Sequence, residues 1–248
     1  MSKDEFASTK YPVHHLDGDS GESWMGLIDG VYAIAMTLIA IELPELIISL
    51  VSLREKNIGA DLITILIGYE FIAYTITFLM LYELWTVHKS ILKLGGLKQK
   101  LQNLLNSVIL SLTSLGAGNI ILILNEKTKA VTSQVKPEST GIELLHDWVS
   151  NHDALGLVTM LMLALMFFLM SLLCCNCEGH NESHDLQLLT RQLWIRSLYF
   201  LGSSLFWIPV AFGRPVPFPP ALLVILFLFL SFNQDAIDAF LRRCRSHT

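Results

Sequence analysis

"LIDGVYAIAMTLIAIELPE", residues 27–45, decides how this chain is read. It is apolar enough for a bilayer-spanning helix. Yet it holds a carboxylate near its start (Asp29), a hydroxyl at its middle (Thr37) and two carboxylates near its end (Glu42 and Glu45). Ionisable groups in a membrane segment face a bundle interior or a watery path rather than lipid. On a helical wheel with Ile34 at zero, Thr37 lies about 60° to one side, Leu38 about 40° to the other, and Ile41 and Glu45 about 20° off. Ile34, Thr37, Leu38, Ile41 and Glu45 therefore form one stripe. Gly26, Gly30, Ala33 and Ala40 form a second stripe of small residues, the kind that lets another helix come close. Asp29 points about 140° away from Ile34, toward a polar partner on another helix.

Outward from this segment, the same character continues. The 248 residues are 52% hydrophobic and 16% charged, with a mean hydropathy of +0.52. That is too apolar and too weakly charged for an ordinary soluble domain. Crossing about 30 Å of hydrocarbon takes about 20 helical residues. Six apolar runs are near that length: 24–50, 60–88, 101–124, 154–175, 193–212 and 218–240. They are continuous rather than alternating, which predicts helices and not barrel strands. Pro44 is expected to break the first run near its end, and Pro209, Gly213 and Pro215 to close the fifth and turn into the sixth. The fold class is all-α: one six-helix transmembrane domain over 24–241, between polar tails 1–23 and 242–248. No apolar segment in the first tail resembles a cleavable signal.

Lys and Arg set the orientation. With the N-terminus inside, 11 of them fall on the inner side and 6 on the outer, which predicts cytosolic termini. Cys174, Cys175, Cys177 and Cys244 then lie on the cytosolic side as reduced thiols. The basic stretch 88–100, read as an inner loop, suits anionic headgroups; nothing points to nucleic acid.

The stretch from Asp29 to Glu42 resembles the first-helix signature of the endolysosomal potassium channel family and its bacterial homologues. Trp85-Thr86-Val87-His88 is similar to that family's Trp-x-x-His at the end of helix 2, and Asn106 to the Asn of its Leu-Asn-Leu at the start of helix 3. The family's Phe-Ser before the Asp is Leu27-Ile28 here, and its Arg falls on Ser23; those residues usually help build a polar network at the inner helix ends. The resemblance implies a single six-helix repeat that assembles as a homotetramer in a bacterial cell membrane, with potassium as permeant ion and no cofactor. It implies a pore-lining role for Ile34, Thr37, Leu38 and Ile41, and a supporting hydrogen-bond role for Asp29, Trp85, His88 and Asn106. Glu42 and Glu45 would form acidic rings at the outer mouth. The chain has no Thr-Val-Gly-Tyr-Gly filter, so the constriction is expected to be a hydrophobic ring at Ile34 and Ile41 that gates by dewetting, with moderate potassium preference.

Other readings stay open at this point. A secondary transporter or proton-leak pathway is the alternative, although only the first helix shows an intramembrane polar pattern, where a transporter carries midplane charges on broken helices. Cys174, Cys175, Cys177, His180 and His184 fall within eleven positions and offer zinc-type ligands, Cys174, Cys177, His180 and His184 making a possible set of four. Incidental Cys and His in a loop is the competing reading. Residues 125–153 read as a long outer loop, with a short interfacial helix at 143–148. Arg196, expensive in lipid, is expected to pair with a carboxylate or to reach the interface. No nucleophile elbow, P-loop or His-Glu-x-x-His is present, so no enzyme is expected.

Overall fold

The computed structural model describes residues 20–56, 58–95, 99–134, 140, 154–177, 180, 183–211 and 220–232. Six α-helices make up this part: α1 (Ser20–Val51), α2 (Ala60–Gly95), α3 (Lys100–Gln134), α4 (Ala154–Cys175), α5 (His184–Ala211) and α6 (Pro220–Phe232). A single 3₁₀ turn, Ser52–Lys56, follows α1. No strand occurs among the described residues.

The helices follow from the apolar runs, but several outlast them. α1 passes through Pro44 to Val51 instead of breaking there. A proline forfeits one backbone bond, and the two further turns, which pack through Leu46 and Leu50, outweigh that loss. α2 extends to Gly95 and α3 to Gln134. The basic stretch 88–100 is therefore mostly helix, and residues 125–134 belong to α3 rather than to a loop. The interfacial helix at 143–148, the turn at Gly213 and Pro215, and Cys244 lie outside the described residues.

Four described segments are long and apolar enough to cross a membrane: Ser23–Glu55, Ala60–Gly95, Lys100–Glu126 and Gly156–Cys175. α6 is described over only 13 residues, and α5 carries Arg191 and Arg196 within its length.

α1 packs on α2 and α3, α3 packs on α4, and α4 pairs closely with α5. The core runs through Ile28, Tyr32, Ala35 and Ile39 of α1 and Leu84, Val87 and Ile91 of α2. On α4 it is carried by Phe167 and Met170. Phe167, Phe200 and Phe227 bring α4, α5 and α6 together, with Phe200 and Phe227 ring centroids 4.6 Å apart. A separate apolar cluster, Leu50, Leu53, Ile58, Ile63 and Leu66, closes the α1–α2 connection. At the other end of α2, Gly95 lies against Cys177: a Cβ there would stand 2.2 Å from the Cys177 sulfur. Only glycine permits that approach.

Candidate functional site

α1 divides along its length. Ile28, Tyr32, Ala35 and Ile39 are 0–2% exposed and face α2 and α3. Ile34, Leu38 and Ile41 are 62%, 46% and 58% exposed, and Thr37 lies open beside them. The predicted stripe is thus the face that the bundle leaves uncovered. Its chemistry is aliphatic apart from Thr37, whose hydroxyl donates to the Ala33 carbonyl at 2.7 Å. That bond uses the proton and leaves the oxygen lone pairs available as acceptors. Glu45 is exposed on the same face, whereas Glu42 is half-buried on its flank.

Among the described residues, no helix of this chain comes close to the small-residue stripe. Gly26, Gly30, Ala33 and Ala40 are all exposed, and a Cβ at Gly26 or Gly30 would meet nothing within 4 Å. The neighbours of α1 are taken up by its opposite face, where larger side chains supply more burial per residue. The small residues therefore widen the open face.

Asp29 turns off that face, as the wheel predicts. It accepts from the Trp85 indole N–H at 2.7 Å and from the Lys89 ammonium at 2.9 and 3.0 Å. Lys89 also lies 4.7 Å above the Trp85 ring. One turn of helix places Trp85 and Lys89 on one side of α2, so a single carboxylate on α1 engages both. Lys89, within the basic stretch 88–100, supplies the cation of the network. Its spacing of four from Trp85 was the available signal.

His88 points elsewhere. Its Nε2 is 2.7 Å from Asn106 Oδ1 on α3, and both residues are fully buried. The Tyr32 ring meets His88 edge-on at 6.0 Å. His88 Nδ1 and Asn106 Nδ2 have no hydrogen-bond partner among the described residues. The four supporting residues expected from the sequence are thus brought together as two pairs on α2: Asp29 with Trp85, and His88 with Asn106.

A third polar group was not foreseen as a set. Arg196 of α5 pairs with Glu83 of α2 at 2.7 Å and donates to Ser231 of α6 at 2.8 Å; Ser231 in turn donates to Glu83. The guanidinium lies 5.8 Å from the centroids of both the Phe167 and Phe227 rings. The pairing of Arg196 with a carboxylate was expected, but Glu83 was not identified. Glu70 is buried on α2 as well. The view that only the first helix carries intramembrane polar groups is therefore corrected.

The cysteine–histidine segment is spread out in the structure. Among the described residues, no three His, Cys, Asp or Glu side chains are grouped to hold an ion. The last turn of α4 directs Cys174 and Cys177 inward, where their thiols donate to the Leu186 and Leu173 carbonyls, each at 3.4 Å. His180 bonds to Thr190 at 3.0 Å, and His184 is exposed at the start of α5. Burial, with the neighbouring thiols, pushes the Cys177 thiol up to about 12.

Comparison with known proteins returns one family. Residues 25–115 match the family model described as "TMEM175: Endosomal/lysosomal potassium channel TMEM175". No curated protein and no solved structure matches the chain. The matched residues hold α1, α2 and the first part of α3, and with them Asp29, Trp85, His88 and Asn106. Over these residues the chain is similar to a potassium channel family, and an ion-channel family is not an enzyme class.

Proposed function

We propose that the protein is a potassium-permeable channel of the membrane in which four copies place the open face of α1 around a shared axis. The observation that carries this reading is the division of α1. Its aliphatic stripe of Ile34, Leu38 and Ile41 is uncovered by the bundle, while Asp29 is turned away and tied to Trp85 and Lys89. One chain cannot enclose a path with one such stripe; a ring of stripes can.

In this reading Ile34 and Ile41 form the narrow apolar rings, which close by losing water. An ion passing an aliphatic ring must shed part of its hydration shell, and potassium sheds water more readily than sodium. The Thr37 oxygen, with its proton committed to Ala33, offers lone pairs to a passing cation. The outcome is a moderate potassium preference rather than the strict selectivity of a carbonyl filter. Glu45, exposed beyond Ile41, raises the local cation concentration at the mouth, and Glu42 contributes from the flank. In the orientation taken from Lys and Arg, this mouth is the outer one and both termini are cytosolic, in a bacterial cell membrane.

The test is the reversal potential of purified protein in a planar bilayer, with potassium on one side and sodium on the other. A shift toward the potassium equilibrium potential is the expected result. One specific observation favours a second reading: the charged Glu83–Arg196 pair sits inside the bundle, and such pairs also occur in transporters. Silent bilayers combined with saturable, counter-ion-dependent potassium or proton uptake would establish that reading and remove the channel.

A further inference from the structure

α2 carries three polar contacts within two turns, and each goes to a different neighbour. Trp85 and Lys89 hold Asp29 of α1. His88 holds Asn106 of α3. Glu83 holds Arg196 of α5 and Ser231 of α6. The first two contacts join the helices of the matched segment to one another. The third reaches outside it, to helices that approach α2 along few residues otherwise.

We propose that Arg196 and Ser231 are positioning residues for conduction: through Glu83 they fix α2, and through α2 the rotation of the α1 stripe about its own axis. This rests on the channel reading given above.

Three observations carry it. First, the contact is charged, and its guanidinium is closed in by Phe167 and Phe227. An ion pair shielded from water holds its geometry more tightly than an exposed one. Second, Glu83 is engaged by both partners. Arg196 and Ser231 meet the same carboxylate oxygen and each other, so α5 and α6 act on α2 as one body. Third, Asp29 is anchored only six and two residues along α2 from Glu83, at Lys89 and Trp85. A rigid helix transmits a small rotation at Glu83 to Asp29 with little loss over so short a distance. Asp29 lies five residues from Ile34 on α1, so the same rotation moves the stripe. Glu83 is buried and Arg196 partly so, on helices where apolar residues would pack without a desolvation cost. Their presence is explained by fixing one arrangement of α2 against α5 and α6.

The test uses the full chain in planar bilayers with Arg196→Gln, Arg196→Lys, Ser231→Ala and Ser231→Thr. Unitary conductance, reversal potential and open probability are read separately, on protein shown by size exclusion to keep the wild-type assembly. Arg196→Gln is expected to shift the open probability about tenfold, with unitary conductance and reversal potential unchanged. Arg196→Lys keeps the charge and restores part of it. Ser231→Ala produces a smaller shift that Ser231→Thr, which keeps the hydroxyl, reverses. Where Arg196→Gln fails to assemble, the serine pair carries the test. An open probability equal to wild type in every assembled variant overturns the proposal and leaves the channel reading intact. A changed reversal potential also overturns it, since it would put these residues in the ion path. Wild-type protein that passes no current overturns the channel reading and this proposal together.

Discussion

The two faces of α1 are written in nearly the same alphabet and meet opposite fates. Ile28, Ala35 and Ile39 are buried; Ile34, Ala33 and Ile41 are exposed. Hydrophobicity does not separate them, because in a membrane both faces are apolar. What separates them is bulk and polar anchoring. The buried face carries Tyr32, which fills the space between α1 and His88, and it is flanked by Asp29, which is tied to α2. The open face carries small residues and, among the described residues, no tie to another helix. A helix that must meet both a packed bundle and an unfilled space is sorted by its few polar groups.

The comparison breaks most directly by placing the same polar side chain on each face. Ile39→Asn buries an amide where no partner is at hand and removes packed methyl groups. It should cost about 3 kcal/mol or more, seen as loss of folded protein when detergent extracts are heated and chromatographed. Ile34→Asn should leave that profile within about 0.5 kcal/mol and instead hydrate the proposed ring, raising ionic leak through the bilayer. Equal destabilisation by the two substitutions would mean that the faces are not distinct. Unchanged conductance in Ile34→Asn would remove Ile34 from the constriction.

A finer break concerns what fixes the buried side. His88 and Asn106 satisfy each other, and each keeps a buried atom with no hydrogen-bond partner among the described residues. Removing one member leaves the other wholly unsatisfied, at about 1–3 kcal/mol. Replacing both by leucine removes the polar groups altogether and should recover most of that loss. A cycle of His88→Leu, Asn106→Leu and the double variant, read by denaturation in mixed micelles, gives the coupling. Additive losses would show that the pair does not act as a unit.

Much of this was legible in the sequence, and the reasons are specific. Six helices follow from six apolar runs, because backbone groups in lipid leave no other choice. The direction of Asp29 and of the Ile34 stripe follows from a 100° step. The partners of Asp29 were half legible. Trp85 came with a motif resemblance, whereas Lys89 needed the step of four residues to be applied to α2 as well as α1. Glu83 was hidden because a single carboxylate in a long run reads as a tolerated exception; its meaning depends on Arg196, more than a hundred residues later. The small-residue stripe was legible only as a face that permits close approach. Small residues permit a close neighbour, but which helix comes close depends on tertiary packing that the stripe does not encode. In the cysteine–histidine segment spacing was visible and direction was not.

That last difference supports the mildest test, which repeats the contrast of α1 at the end of α4. Cys174 and Cys177 turn inward and are buried, while Cys175, between them, is exposed. Alkylation proceeds through the thiolate. Burial raises the Cys177 thiol to about 12, so the protonated form persists below that value and raising the pH from about 7 to about 9 leaves almost no thiolate there. Cys175 is exposed to the reagent. With Cys244 replaced by serine, folded protein should take up one maleimide or iodoacetamide per chain at Cys175. Cys177 should label only after unfolding, and the labelled protein should keep its assembly. Mass spectrometry of the labelled peptide locates the adduct. Equal labelling of Cys175 and Cys177 in folded protein would mean that the α4 terminus does not turn inward against Gly95. It would also return the cysteine segment to the surface, where a metal could reach it.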